Sequence, residues 1–248
     1  MANKEQPHTI TDTPDDATPA ENGVAPANTA PTESESKALS RLEAFSDGVF
    51  AIALTLLVLE IQIPHPPGGQ LAQQVENQWP AFIAYIASFL TILVMWLNHH
   101  NVVQFINRAD RLFFVINGLL LMTITFLNYP TALVAEAARL NFSDQKFATL
   151  VYNGTCILIG ALYNALWFAA RKKRLLNPTI TRATARLINV QYGLGIPLYI
   201  IAFLLAFIPL IGPTASLLLD AAIALYFMFT GRIGEAPTRS FPRFGRGH

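Results

Sequence analysis

Residues 41–63 read RLEAFSDGVFAIALTLLVLEIQI. Between Gly48 and Leu59 every residue except Thr55 is apolar, and flanking apolar residues extend the stretch to about twenty. At about 1.5 Å per residue, a helix of that length crosses a hydrocarbon core of about 30 Å. Its first turns carry Arg41, Glu43, Ser46 and Asp47, which a simple anchor does not need. With Ile52 set at zero and about 100° per residue, Leu56 falls at about 40°, Leu59 at about −20° and Thr55 at about −60°. Ser46 and Asp47 fall at about 120° and −140°, well off that stripe. One face of the helix is therefore apolar with a single hydroxyl, and the polar start points into protein.

The rest of the chain agrees with a membrane protein. Of 248 residues, 52% are hydrophobic and 13% charged, against about 25% charged in soluble domains. The mean hydropathy is +0.38. A net charge of +1 gives no reason to expect a nucleic-acid partner. The lone Cys156 lies in an apolar segment, so neither a disulfide framework nor a cysteine metal site is expected. The first forty residues lack the apolar core of a secretory signal.

Composition divides the chain into a disordered cytosolic tail over residues 1–38, a six-helix membrane domain over 39–232 and a basic cytosolic tail over 233–248. The first segment is rich in Pro, Thr, Ala and acidic residues, and it has too little apolar surface to offset the entropy of ordering it. Six spans are expected at about 41–63, 79–99, 112–134, 147–170, 188–208 and 214–230. Breaks fall at His65-Pro66-Pro67-Gly68-Gly69, at the polar link 107–111, around 139–146, at Arg171-Lys172-Lys173-Arg174 and at Gly212-Pro213. Residues 178–188, with Arg182 and Arg186, read as an amphipathic lead-in. The fifth span reads as interrupted by Gly193, Gly195 and Pro197.

Six spans place both termini on one side. All but two of the 17 Lys and Arg, Arg139 and Lys146, fall on the side of the termini. The positive-inside rule then makes the tails cytosolic and turns the Arg41–Asp47 end of the first helix to the cytosol.

Polar residues at membrane depth mark where that helix is held. Asn98-His99-His100 closes the second span beside Trp96. Adjacent histidines on a helix diverge by about 100° and chelate poorly, so no metal site is expected. Trp96 and His99, three residues apart, share a face. Asn117 lies at a similar depth in the third span, and a cluster of Asp47, Trp96, His99 and Asn117 would relieve the cost of a carboxylate at that depth. Asp220, midway in the sixth span, is the other ionisable group at depth; a structural partnership is the default for it, with a part in ion passage as the alternative. Glu136 and Asp144 fall on outer segments. No nucleophile elbow, phosphate loop or paired carboxylates with a base are present, so an enzyme is not expected.

The segment Arg41-x-x-x-Phe45-Ser46-Asp47 followed by GVFAIALTLLVLEI closely resembles the opening signature of the bacterial relatives of transmembrane protein 175, which are potassium-permeable channels. The likeness continues through Trp96-Leu97-Asn98-His99-His100, Met122–Leu127 and Pro130–Leu133. It is strong over about 41–135 and rests on span pattern over 145–230. The resemblance implies an all-α subunit of six helices, four copies around a central pore, K⁺ as the permeant ion, the lipid bilayer as surroundings and no cofactor. It implies a constriction of large apolar residues at Ile52, Leu56 and Leu59, with Thr55 at the position tied to cation selectivity. It also implies that Arg41, Phe45, Ser46 and Asp47 bind the first helix to Trp96, His99 and Asn117. Asn128 stands where many relatives have Pro.

Two other classes fit a polytopic chain. A secondary transporter would carry broken helices in paired positions, but the fifth span has no counterpart in the first half. A non-conducting scaffold would leave the polar start of the first helix without a purpose. No TVGYG-like filter loop occurs, so discrimination must arise at an apolar neck and a threonine ring.

The charge bias generates a prediction of topology. A cysteine placed at Gln70 or Arg139 should react with an impermeant thiol reagent added outside intact cells. Labelling of position 70 from the cytosolic side would reverse the orientation.

Overall fold

The computed structural model describes residues 32–61, 69–178 and 180–230. The expected basic tail, most of the expected N-terminal tail and the Pro66-Pro67 loop lie outside the described residues. The described part is helical: α1 (Glu33–Leu56) followed by a 3₁₀ turn (Leu57–Glu60), a short α2 (Leu71–Glu76), α3 (Trp79–Gln104), α4 (Arg111–Phe126), α5 (Asn128–Ala137), α6 (Phe142–Lys172), α7 (Arg182–Leu205) and α8 (Gly212–Thr230). With α1 joined to its 3₁₀ turn and α4 to α5, six helices among the described residues are long and apolar enough to cross a membrane. The chain is a multi-pass membrane protein of the all-α class.

The first helix begins earlier than composition suggests. Thr32 caps it, accepting from the Glu35 backbone N–H at 3.3 Å while its own N–H donates to Glu35 Oε2 at 2.8 Å. This reciprocal pair satisfies two orphan donors, and so residues 33–38, assigned above to the tail, are helical. The span expected at 112–134 divides at Leu127. Pro130 lacks the N–H that would bond the Phe126 carbonyl, and its ring crowds the same group, so α4 stops at Phe126 and α5 starts at Asn128. The opposite correction applies to the fifth span. It runs unbroken from Arg182 through Pro197 to Leu205, so Arg182 and Arg186 open that helix rather than precede it. Within a bundle, packing neighbours hold such a helix together across one missing hydrogen bond.

At the centre lies α6, 31 residues and about 46 Å long. It packs against α4, α5, α7 and α8, burying Tyr152, Cys156, Ile159, Tyr163 and Leu166. The chain after it is tied back to the α3–α4 link: Asn107 N–H donates to Leu175 O at 2.7 Å and Asn177 N–H to Phe105 O at 2.8 Å. By contrast, α1 lies at the edge of the helix bundle, packed on α3 and α4. It buries Leu39, Leu42, Ser46, Phe50, Ala53 and Leu57, which recur every three or four residues and so form one face.

The α7–α8 turn depends on a single glycine. A Cβ on Gly212 would stand 2.5 Å from the Leu205 carbonyl oxygen, with the Ala206 backbone at 3.0 Å. Backbone cannot yield as a flexible side chain can. Gly212→Ala should therefore lower the melting temperature of the purified protein. Gly154→Ala, where a Cβ meets nothing within 4 Å, should leave it unchanged or raise it through a helix-propensity gain of about 1 kcal/mol. Equal effects of the two would mean that the turn adapts.

Candidate functional site

The polar start of α1 meets α3 and α4 through two separate hydrogen-bonded links. Trp96 Nε1 on α3 donates to Asp47 Oδ1 at 2.9 Å. Asn117 Nδ2 on α4 donates to Ser46 Oγ at 3.0 Å, which leaves Asn117 Oδ1 as an acceptor. His99 Nε2 lies 2.7 Å from that oxygen, so the imidazole carries its proton on Nε2 and donates it there. Ser46, His99 and Asn117 are each at most 1% exposed. Asp47 and Trp96 are half-buried. The His99 ring also packs on Phe50, with centroids 5.3 Å apart, so the same imidazole touches α1 by an apolar face and reaches Asn117 by a polar edge.

The structure thus brings together Ser46, Asp47, Trp96, His99 and Asn117. It does not bring Arg41 and Phe45 to them, because both side chains stand on the exposed side of α1. A further set escaped the sequence analysis. His100 stacks on Trp96 at 5.8 Å between centroids and its Nε2 lies 2.6 Å from Gln104 Nε2. That nitrogen must accept, so the proton sits on Nδ1, 3.5 Å from Glu43 Oε1 without hydrogen-bond geometry. The 43/47 spacing on α1 and the 96/100/104 spacing on α3 are the four-residue repeats of facing helices, and these were the signal available. Among the described residues, no three His, Cys, Asp or Glu lie close enough together to hold a metal ion.

The other face of α1 is bare. Phe45, Ile52, Leu56 and Leu59 are 63%, 57%, 42% and 69% exposed, while Leu57, between them in sequence, is fully buried. Thr55 is exposed on the same face. Its hydroxyl hydrogen is donated to the Ile52 carbonyl at 2.9 Å, which leaves the lone pairs of Oγ1 as acceptors on the bare face.

Fold and site together define a six-span helical membrane protein whose first helix is braced by hydrogen bonds on one face and uncovered on the other. Residues 41–127 match the family model described as endosomal/lysosomal potassium channel TMEM175. A potassium channel of Chamaesiphon minutus is 45% identical over 183 residues, covering 72% of this chain and 88% of that protein. One of Streptomyces collinus is 37% identical over 191 residues, covering 76% and 91%. The crystal structure of a lysosomal potassium-selective channel TMEM175 homolog from Chamaesiphon minutus superimposes with a TM-score of 0.70 at 39% identity, covering 79% of this chain and 99% of that one. The chain belongs to the TMEM175 family of ion channels and is not an enzyme. Membership implies no cofactor.

The two links make a prediction about bracing. Removing one partner of a buried hydrogen bond costs about 1–3 kcal/mol, so Asp47→Ala, Trp96→Ala and Asn117→Ala should each destabilise the folded protein by about that much. Asp47→Asn, which keeps an acceptor oxygen for Trp96, should cost less than Asp47→Ala. Thermal denaturation of the purified variants checks the order; variants that melt like the parent would remove the links from the account.

Proposed function

We propose that this chain forms a K⁺-permeable channel in which four copies surround a central pore lined by the bare face of α1. Ile52, Leu56 and Leu59 form its apolar neck. The observation that carries the proposal is the division of α1 into two faces. Leu42, Ser46, Phe50, Ala53 and Leu57 are used inside the subunit, whereas the stripe from Phe45 to Leu59 is left largely exposed. A stripe of large apolar side chains on a membrane helix is covered by lipid, by protein or by itself across an axis. Kinship with channels supports the last of these.

On this reading the subunit fixes the rotation of α1. The Trp96–Asp47 and Asn117–Ser46 bonds turn the polar side of the helix into the subunit, which leaves Ile52 facing the axis. An apolar ring narrower than a hydrated cation resists wetting and limits flow without a charged barrier. The Thr55 hydroxyl oxygens, with their hydrogens spent on Ile52 carbonyls, offer acceptors to a cation that has passed. Both tails lie in the cytosol, by the charge bias of the sequence.

Recording from the purified protein in planar bilayers tests the proposal. Ile52→Asn should hydrate the neck, raise single-channel current severalfold and weaken discrimination between K⁺ and Na⁺. Thr55→Val, nearly the same size, should lower selectivity more than current. The off-stripe control needs care. A polar residue at Leu57 would disrupt the core that buries it, so Leu57→Met, which keeps the volume, is the comparison and should conduct like the parent. Currents that follow position 57 and ignore position 52 would put the wrong face of α1 at the axis. Absence of channel steps from a well-folded preparation would overturn the proposal itself.

A further inference from the structure

Away from α1, helices α3, α5, α6 and α8 enclose a cavity of about 390 Å³, none of whose lining residues belongs to α1. Its wall is mostly apolar, and its mouth is rimmed by Trp79, Ile83 and Leu218, all exposed on the outer surface of the subunit. Its floor is polar. Asp220, 4% exposed, lines it together with Ser88, Thr131 and Tyr152.

The carboxyl group has no hydrogen-bond partner at either oxygen, and the amide and hydroxyl hydrogens of Asn153, Thr131 and Thr91 are given elsewhere. Asn153, next to it, donates one amide hydrogen to Thr149 O at 3.0 Å and the other to Ser216 Oγ at 3.0 Å; its own Oδ1 is buried without a partner. Thr131 donates to Leu127 O at 2.8 Å, so Ser88, 2.8 Å from Thr131 Oγ1, is the donor in that pair. Thr91, also on the wall, donates to Ala87 O at 2.9 Å. Among the described residues lining the cavity there is no Lys, Arg or His. The remaining ionisable neighbours of Asp220 are Tyr152, Cys156 and Tyr199, none of them cationic.

A buried carboxyl at membrane depth with no hydrogen-bond partner and no cation beside it is costly, and such groups mark functional sites by default. We propose that this cavity binds a lipophilic ammonium ion, its charged head against Asp220 and its apolar body between α3 and α8. The volume is at the low end of small-molecule pockets, which run about 300–1,000 Å³, and so suits a body of one ring. A bare metal cation fits less well, because it needs a shell of oxygen ligands and most of this wall is carbon.

The test is titration calorimetry on the full-length purified protein with 2-phenylethylamine and with 2-phenylethanol, which has the same shape and no charge. The amine should bind saturably and about tenfold or more tightly than the alcohol, since a hydrogen bond to a charged group supplies at least that factor. Asp220→Asn should abolish the difference. Ala87→Leu, which fills the cavity and leaves the carboxyl in place, should abolish amine binding and decides the matter alone if the Asn variant fails to fold. Equal binding of amine and alcohol, or amine binding that survives Ala87→Leu, would overturn the proposal. The outcome is independent of whether α1 lines a pore.

Discussion

Adjacent residues on a helix point about 100° apart, and Ser46 and Asp47 use that divergence to hold α1 against two different helices. Ser46 accepts from Asn117 on α4, and Asp47 accepts from Trp96 on α3. Two anchors of different direction at one level fix the rotation of a helix about its own axis, which apolar packing alone does poorly because Leu, Ile and Phe exchange places at small cost. Behind the anchors, His99 serves both sides, donating to Asn117 and packing on Phe50. That rotation determines which residues of α1 the helix bundle uses and which it leaves outside.

The face left outside is the one we propose lines the pore. Inside the subunit α1 has a complete interface, from Leu39 to Leu57, so the stripe at Phe45, Ile52, Leu56 and Leu59 is not needed for the fold of the subunit. In a bilayer, association of such surfaces draws on van der Waals packing and polar contacts more than on exclusion of water. In the proposed channel, a neck built of these side chains would conduct according to how readily water enters it. This differs from a carbonyl filter, whose dipoles replace the hydration shell. Within the proposed neck, between Ile52 and Leu56, Thr55 adds a hydroxyl oxygen already oriented by its bond to the Ile52 carbonyl.

Much of this was legible in the sequence because hydrophobic length and helical period are strong signals. Six spans, the polar start at Arg41–Asp47 and the separation of Ile52 from Ser46 follow from residue order alone. The partners Trp96, His99 and Asn117 could be named by depth, but the pairing of Trp96 with Asp47 and of Asn117 with Ser46 needs coordinates. Other features were mis-set. Composition blurred the start of α1, although Thr32 and Glu35 stand at capping-box spacing. Proline acted in opposite ways: Pro130 divides a span, whereas Pro197 sits within an unbroken one, a difference that residue order does not carry. Asp220 was visible as an ionisable group at depth, while its lack of a hydrogen-bond partner depends in part on where the hydrogens of Asn153 and Thr131 go.

The central claim is that the face of α1 opposite the Ser46 and Asn117 anchor borders the ion path. Cysteine scanning from Phe45 to Leu59, with the current of each variant followed during exposure to a small thiol-reactive cation, tests it most directly. Native Cys156 is fully buried on α6 and leaves the background quiet. The account predicts rapid block at positions 45, 48, 52, 55, 56 and 59, and no change at 46, 50, 53 and 57. Block that follows the second set, or that shows no helical period, would contradict it.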